Sequence, residues 1–428
     1  MDAIEKIHEF EKFGSILGLE RMTSLMSELG NPQDELRCFH VAGTNGKGSV
    51  CKYIYEALQA EGYRTGLYTS PFLETFNERI EFNRELISDE DLQKYTDIVL
   101  SKVKTLVERG EDSPTEFEVV TAVAFLYFKE KKADYVVLEV GLGGIGDSTN
   151  IIKEPMVSVI SSISYDHMDR LGSTLAEIAQ NKAGIIKSGC PMVTSVRDEE
   201  ALSVIEEKAK EEASLFFETK NLPVKIKEES IDGTLMDVLI QGINVEDLRI
   251  SMVGRHQVEN AVLALAALAI CEETSDFSIS RKAVLEGFLK AKQIGRFEIM
   301  GREPLVIIDG AHNEDGAKKL KEVIKDNAAG KKTLIVTGML ADKATDKIIE
   351  ELVEISSDFI ATEPDNPRKM SATELKKSLE DRGAKVEAYA DCTEAVKMAI
   401  EQKDKYELIL FAGSLYLIGK VRSLLRQI

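Results

Sequence analysis

The sequence predicts a two-domain α/β protein with mostly parallel sheets, and three observations carry that prediction. Apolar strand-length runs alternate with amphipathic helical stretches along the whole chain. A glycine-rich turn bearing one lysine, His40-Val41-Ala42-Gly43-Thr44-Asn45-Gly46-Lys47-Gly48-Ser49, joins one such strand to a helix. At 428 residues, the chain also exceeds the roughly 250–300 residues at which a single core stops growing.

In order, the apolar runs place strands near 36–42, 64–68, 134–140, 156–163 and 190–195, with a long helix around 116–130. Residues 215–250 alternate apolar and polar positions (Val224, Ile226, Leu235, Val238, Ile240) and predict a small antiparallel sheet. A helix over 256–273 follows. From Arg296 a second series begins, with strands at 304–309, 333–337, 357–362, 385–389 and 407–412 separated by amphipathic helices, the pattern of a doubly wound domain. The expected fold is therefore a P-loop-like domain with a small appended β region over 1–294, then a doubly wound, Rossmann-like C-terminal domain over 295–428; that the first domain binds ATP is what the family resemblance given below implies.

Composition excludes several classes of function. Lys+Arg 54 against Asp+Glu 74 gives a net charge of -20, which disfavours nonspecific nucleic-acid or membrane-surface binding. Five scattered cysteines without CxxC spacing indicate neither a disulfide framework nor a zinc site. The acidic start (Asp2, Glu5, Glu9, Glu11) lacks an apolar leader core, and no run approaches the length of a membrane span. The expectation is a cytoplasmic monomer acting on small molecules.

The turn at 43–49 carries the chemistry. Apolar residues before it suit a buried strand, and Val50, Tyr53, Ile54, Ala57 and Leu58 recur at helical spacing after it. Unpaired backbone amides at the helix start, together with Gly43, Thr44, Asn45, Gly46 and Gly48, can cradle phosphate oxygens, and Lys47 can neutralise the β/γ charge. The match to G-x-x-x-x-G-K-[ST] is incomplete: Val41 takes the first glycine position, and the hydroxyl comes one residue late as Ser49. An ordinary Gly/Asn turn would not call for a lysine between glycines.

Glu139 ends an apolar strand at the edge where open α/β sheets bind ligands, which makes it a candidate magnesium ligand. The next residues, Gly141 to Gly146, satisfy G-x-G-x-x-G, with Asp166 at the distance of a ribose-binding acid. A dinucleotide site needs a helix opening on the third glycine, and Asp147-Ser148-Thr149-Asn150 leads to Pro155 without helical periodicity, so these glycines are read as a loop approached by substrate. His167 stands between two carboxylates after the following strand. Lys182 lies in an apolar stretch, where lysines usually snorkel to solvent. Ser70 follows the second strand, and Arg296, Asp309 and His312 sit around the first strand of the second series.

Together these segments resemble the Mur-ligase superfamily and, within it, the folylpolyglutamate synthases, often bifunctional with dihydrofolate synthase. The resemblance runs through GTNGKGS at 43–49, TSP at 69–71, NERI at 77–80, EVGLGG at 139–144, DH at 166–167, NKAGIIK at 181–187 and GRHQVENA at 254–261. It continues with GRF at 295–297, DGAHN at 309–313, NPR at 366–368 and GSLY at 413–416. It implies that Ser49, Ser70 and Glu139 hold one Mg2+, and that His167 and Lys182 serve a second, the lysine as a carbamate. It implies nucleotide contacts from His256, Asn260, Arg296, Asp309 and His312. The activity implied is ATP-dependent addition of L-glutamate to a folate or dihydropteroate through an acyl phosphate. Where the family usually reads GGR-L-D-A-T-N, this chain has Ile145 in place of the arginine, so contacts of that side chain are not carried over. A peptidoglycan Mur-type ligase, an NAD(P)-binding oxidoreductase and a noncatalytic nucleotide-binding module are the alternatives.

Overall fold

The computed structural model describes residues 2–14, 16–240, 243–341 and 345–427. The chain divides into two compact units: Met1–Lys227, Leu235–Ser251 and Gln257–Ala291 form the first, and Glu228–Thr234, Met252–His256 and Lys292–Ile428 the second.

Strands β1 (Cys38–Ala42), β2 (Thr65–Tyr68), β3 (Ile80–Phe82), β4 (Glu85–Leu86), β5 (Tyr135–Glu139), β6 (Val157–Ile160), β7 (Met192–Thr194) and β8 (Phe216–Glu218) form the main sheet of the first unit, in the order β4-β3-β2-β5-β1-β6-β7-β8. From β2 to β8 all neighbours are parallel. The β3–β4 hairpin adds an antiparallel edge. Strand β1 lies between β5 and β6, so Ala42, Glu139 and Ile160 all end at the same edge. Its residues are buried throughout, as expected of a strand covered on both faces.

The helices obey their capping residues. Thr115 and Glu118 form a capping box that opens the helix Glu116–Glu130, and Thr174 with Glu177 does the same for Leu175–Ala183. Side chains of Glu116–Glu130, the helix Asp89–Glu108 and the N-terminal helices pack into one core cluster with the first strands. Ala42, Ile160, Ala179, Ile185, Met192 and Ile205 belong to another.

One expectation needs correction, and some elements were not anticipated. Residues 216–218 belong to the edge of the main sheet, and the small antiparallel sheet contains β9 (Val224–Ser230), β10 (Gly233–Ile240) and β11 (Ile243–Ile250). The hairpin at 80–86 and the N-terminal helices Ala3–His8 and Glu20–Glu28 had no counterpart in the sequence reading. Both strands of that hairpin are too short to establish a period.

The second unit has one sheet of β12 (Glu298–Arg302), β13 (Leu305–Asp309), β14 (Thr333–Thr337), β15 (Asp358–Ala361), β16 (Lys385–Ala388) and β17 (Leu408–Ala412), ordered β12-β13-β17-β14-β15-β16. Only β12, absent from the sequence reading, runs antiparallel among these described strands. The other five are parallel, and helices such as Glu314–Ala328 bury Ala317, Leu320, Val323 and Ile324 in this unit's core.

Candidate active site at the strand ends

The loop after β1 is held by the strand next to it. The Thr44 amide donates to the Ser162 carbonyl at 2.7 Å, and the Asn45 amide to Ser162 Oγ at 3.1 Å. Ser161 Oγ donates to the Asn45 carbonyl at 2.7 Å. Gly43 and Gly46 have φ of 144° and 87°, where side chains are disfavoured. A Cβ on Gly46 would lie 2.4 Å from Asn260 Oδ1, so Asn260 is brought directly to the loop. The helix Lys47–Glu61 opens on Gly46 without a side-chain cap. Its first amides are therefore available to an anion.

Two lysines converge on one carbonyl here. Lys47 Nζ donates to the carbonyls of Gly43 and Thr44, each at 3.2 Å, and Lys182 Nζ donates to Gly43 at 2.8 Å. Lys182 does not snorkel: it is 4% exposed. Burial lowers its ammonium pKa to about 7, the Lys47 charge adds to the fall, and Asp166 and Asp147 oppose it.

Glu139 is 6% exposed, and its Oε2 accepts the Ser70 amide at 3.2 Å. Ser49, also buried, sits in the first turn of the cradle helix. Burial pushes the Cys51 thiol up, and the Glu139 carboxylate pushes in the same direction, which places that charge near the start of this helix. His167 is different: it is exposed, with φ of 50°, and its amide donates to Asp166 Oδ1 at 2.9 Å. The carboxylate whose charge reaches Lys182 is that of Asp166. Among the described residues, the one gathering of three or more His, Cys, Asp or Glu ligand atoms is His8, Glu11 and Glu116, none of them a predicted metal residue.

No α-helix opens on the glycines at 141–146. A 3-10 turn, Ser148–Ile151, follows instead, so the helix N-terminus that a dinucleotide pyrophosphate requires is missing among these described residues. The loop is closed by Asp147, whose Oδ2 accepts the Leu142 amide at 2.8 Å and whose Oδ1 accepts the Thr149 amide at 3.0 Å. Sequence reasoning passed over both Asp147 and His40.

In the second unit, Asp309 ends β13. Its carboxylate accepts the amides of Phe297 at 2.7 Å and Ala311 at 2.8 Å. Burial raises its pKa, while the Arg296 charge and these amides pull it down. His312 Nδ1 is 2.8 Å from the Gly310 carbonyl. The partly buried His256 is lowered to about 4 by burial and by the charges of Lys319 and Arg296, with Asp315 opposing. The structure thus gathers His256, Arg296 and Asp309 electrostatically.

Residues 41–268 match the Mur ligase middle domain, and residues 295–415 match the Mur ligase glutamate ligase domain. The chain belongs to the Mur ligase family. It is 40% identical over 427 residues to the dihydrofolate synthase/folylpolyglutamate synthase of Bacillus subtilis, covering 99% of both chains. The crystal structure of a Thermotoga maritima folylpolyglutamate synthase superposes with a TM-score of 0.88 at 37% identity, covering 99% of this chain and 96% of that one. A Mycobacterium tuberculosis folylpolyglutamate synthase solved with ADP and AMPPCP gives 0.90 at 29% identity, covering 99% of each. Among Mur ligases, then, the similarity spans both units.

Proposed function

We propose that this protein is an ATP-dependent ligase that joins L-glutamate to a folate, forming an amide with release of ADP and phosphate. The observation that carries this reading is the meeting, at one sheet edge, of the uncapped cradle helix, Lys47 and Lys182 on the Gly43 carbonyl, and Glu139 against Ser70. The B. subtilis relative supplies the folate class of substrate. The acceptor carboxylate takes the γ-phosphoryl of ATP, and the glutamate amine then attacks the acyl phosphate and expels phosphate. The protein's part is positioning and charge neutralisation. The cradle amides hold the phosphates, and Lys47 moves from neutral carbonyls to phosphoryl oxygens, where its charge counts most in the transition state.

Ser49, Ser70 and Glu139 present oxygen donors only, two hydroxyls and a carboxylate, a set suited to a hard divalent cation. Mg2+ held there would neutralise phosphate charge. We assign a second ion to His167 and Lys182. A lysine amine with a pKa near 7 is substantially uncharged at neutral pH, the form that adds carbon dioxide, and the carbamate would replace a cation by oxygen ligands. Nucleotide contacts are assigned to His256, Asn260, Arg296, Asp309 and His312.

The test is ADP release with a reduced folate and with dihydropteroate, each with and without L-glutamate. Glutamate-dependent ADP release with either pteridine supports the ligase. ATP binding without such turnover would reduce the protein to a nucleotide-binding module, and turnover only with a nucleotide-linked peptide precursor would move it to the peptidoglycan branch. Mass analysis of the enzyme in bicarbonate tests the carbamate.

A further inference from the structure

Two side-chain links tie β1 and the loop after it to segments that follow other strands. His40, fully buried in β1, places Nε2 2.8 Å from Thr149 Oγ1. Thr44, in the glycine loop itself, makes the other link and reaches the segment after β6. Its Oγ1 donates to the Ser164 carbonyl at 3.1 Å and accepts the Ser164 amide at 3.1 Å. One hydroxyl thus satisfies both backbone groups of one residue.

Backbone pairing carries the contact only part of the way. Beyond the last paired residues of β1 and β6, Ala42 and Ile160, the Ser161 amide donates to the Ala42 carbonyl at 2.9 Å and the Thr44 amide to the Ser162 carbonyl at 2.7 Å. The two chains then part, because the loop turns at Gly46 into the cradle helix. The Thr44 side chain extends the connection to Ser164. Both donors of Thr44 are therefore spent on this segment, and a hydroxyl has one proton to give, so Thr44 offers none to a phosphate. Its carbonyl receives Lys47 Nζ at 3.2 Å, and the carbonyl before it, that of Gly43, receives both Lys47 and Lys182. Thr44 thus lies between the lysines of the cradle and a segment that runs on through Tyr165 to Asp166 and His167. Asp166 is the group on that segment whose charge reaches Lys182. His167 holds φ of 50°, a conformation that a non-glycine residue keeps only where its surroundings fix it.

We propose that Thr44 is a positioning residue whose hydroxyl locks the Ser164–His167 segment to the phosphate cradle, so that Asp166 stands by Lys182 while the acyl phosphate is made. This rests on the ligase reading above. The hydroxyl itself touches neither nucleotide nor acceptor. The cradle has its own anchors, the amides of Thr44 and Asn45 on Ser162 and the Ser161 hydroxyl on the Asn45 carbonyl, and none of them passes through the Thr44 side chain. Loss of the hydroxyl should therefore lower turnover and spare nucleotide binding.

The experiment compares the full chain with Thr44→Val, which keeps the shape of threonine without the hydroxyl, and with Thr44→Ser, which keeps the hydroxyl. Three quantities are read: kcat for glutamate-dependent ADP release, the Kd of AMPPCP by titration calorimetry, and hydrogen exchange at the Ser164 amide by mass spectrometry. In Thr44→Val kcat should fall roughly tenfold or more, the scale for residues that orient a group of the site. The AMPPCP Kd should change less than about twofold, since Lys47 and the helix amides are untouched. Exchange at Ser164 should quicken roughly fivefold, as for one lost hydrogen bond. Thr44→Ser should stay near the wild type in all three. If Thr44→Val does not fold, Thr44→Ala removes the same two bonds and decides the matter. Unchanged kcat in a folded variant that lacks the hydroxyl overturns the proposal, and so does unchanged exchange at Ser164. A parallel loss of kcat and nucleotide affinity that Thr44→Ser fails to avoid also overturns it, since that is the behaviour of a merely structural residue. A wild-type chain that turns over no folate would instead strike the ligase reading, and exchange at Ser164 would still decide whether the link exists.

Discussion

The strand ends of the two units solve opposite electrostatic problems. In the first unit the edge is prepared for anions: two lysines rest on neutral carbonyls, and helix amides are left uncapped. In the second unit the edge stores a carboxylate, Asp309, whose oxygens are already occupied by backbone amides and whose pKa burial raises. Groups parked on weak partners are free to move to a stronger one. Groups satisfied by their own backbone hold a shape. The first edge should thus carry the charge chemistry, and the second should act chiefly through geometry.

The largest effect expected from this contrast is at Lys47. Lys47→Ala should lower ADP release by roughly a thousandfold with little change in Tm, because the lost charge is needed mainly in the transition state. Near-normal turnover would break the comparison at its stronger side. Glu139→Ala comes next, at roughly a hundredfold, and a Mg2+ titration of activity should shift to higher concentration. An unshifted titration would remove Glu139 from the metal.

Asp309→Asn keeps the shape of the side chain while changing its charge and one acceptor. A fall of about tenfold or less in kcat is expected. A loss as large as that of Lys47→Ala would mean that the second edge also does charge chemistry, and the contrast would fail.

The last expected effect leaves activity aside and concerns stability. His40 has a folded pKa of about 3, against about 6.5 for an unfolded histidine. Between those values the unfolded chain binds a proton that the folded chain refuses, so stability falls as pH drops through this window. His40→Gln removes that contribution. The stability difference between the wild type and His40→Gln, read by urea unfolding, should move against the wild type by about 1.4 kcal/mol per pH unit as the solution is acidified below pH 6.5. A constant difference would place solvent at the ring.

Much of the fold was legible because parallel strands buried on both faces give continuous apolar runs, as at Tyr135–Glu139 and Leu305–Asp309. The cradle was legible because its chemistry is local: Gly43 to Ser49 are contiguous. Lys182 was assigned to the site by the resemblance, and the residues alone offered only the ordinary snorkelling alternative, since its environment is set by a carbonyl 139 positions away. His40 was invisible for the same reason: a histidine in an apolar strand gives no sign of a threonine beyond the next-neighbour strand. Two-residue strands such as Glu85–Leu86 have no period to detect.

The central place of β1 also bears on how the chain comes off the ribosome. Its hydrogen-bonding neighbours are residues 135–139 and 157–160, so during synthesis the strand emerges long before either partner exists. Non-local pairing of this kind closes late, and until it does an apolar edge is open to other chains. Translation that stops short of Ile160 would therefore release a fragment with an unpaired strand just ahead of its glycine loop, a species for chaperones or proteases.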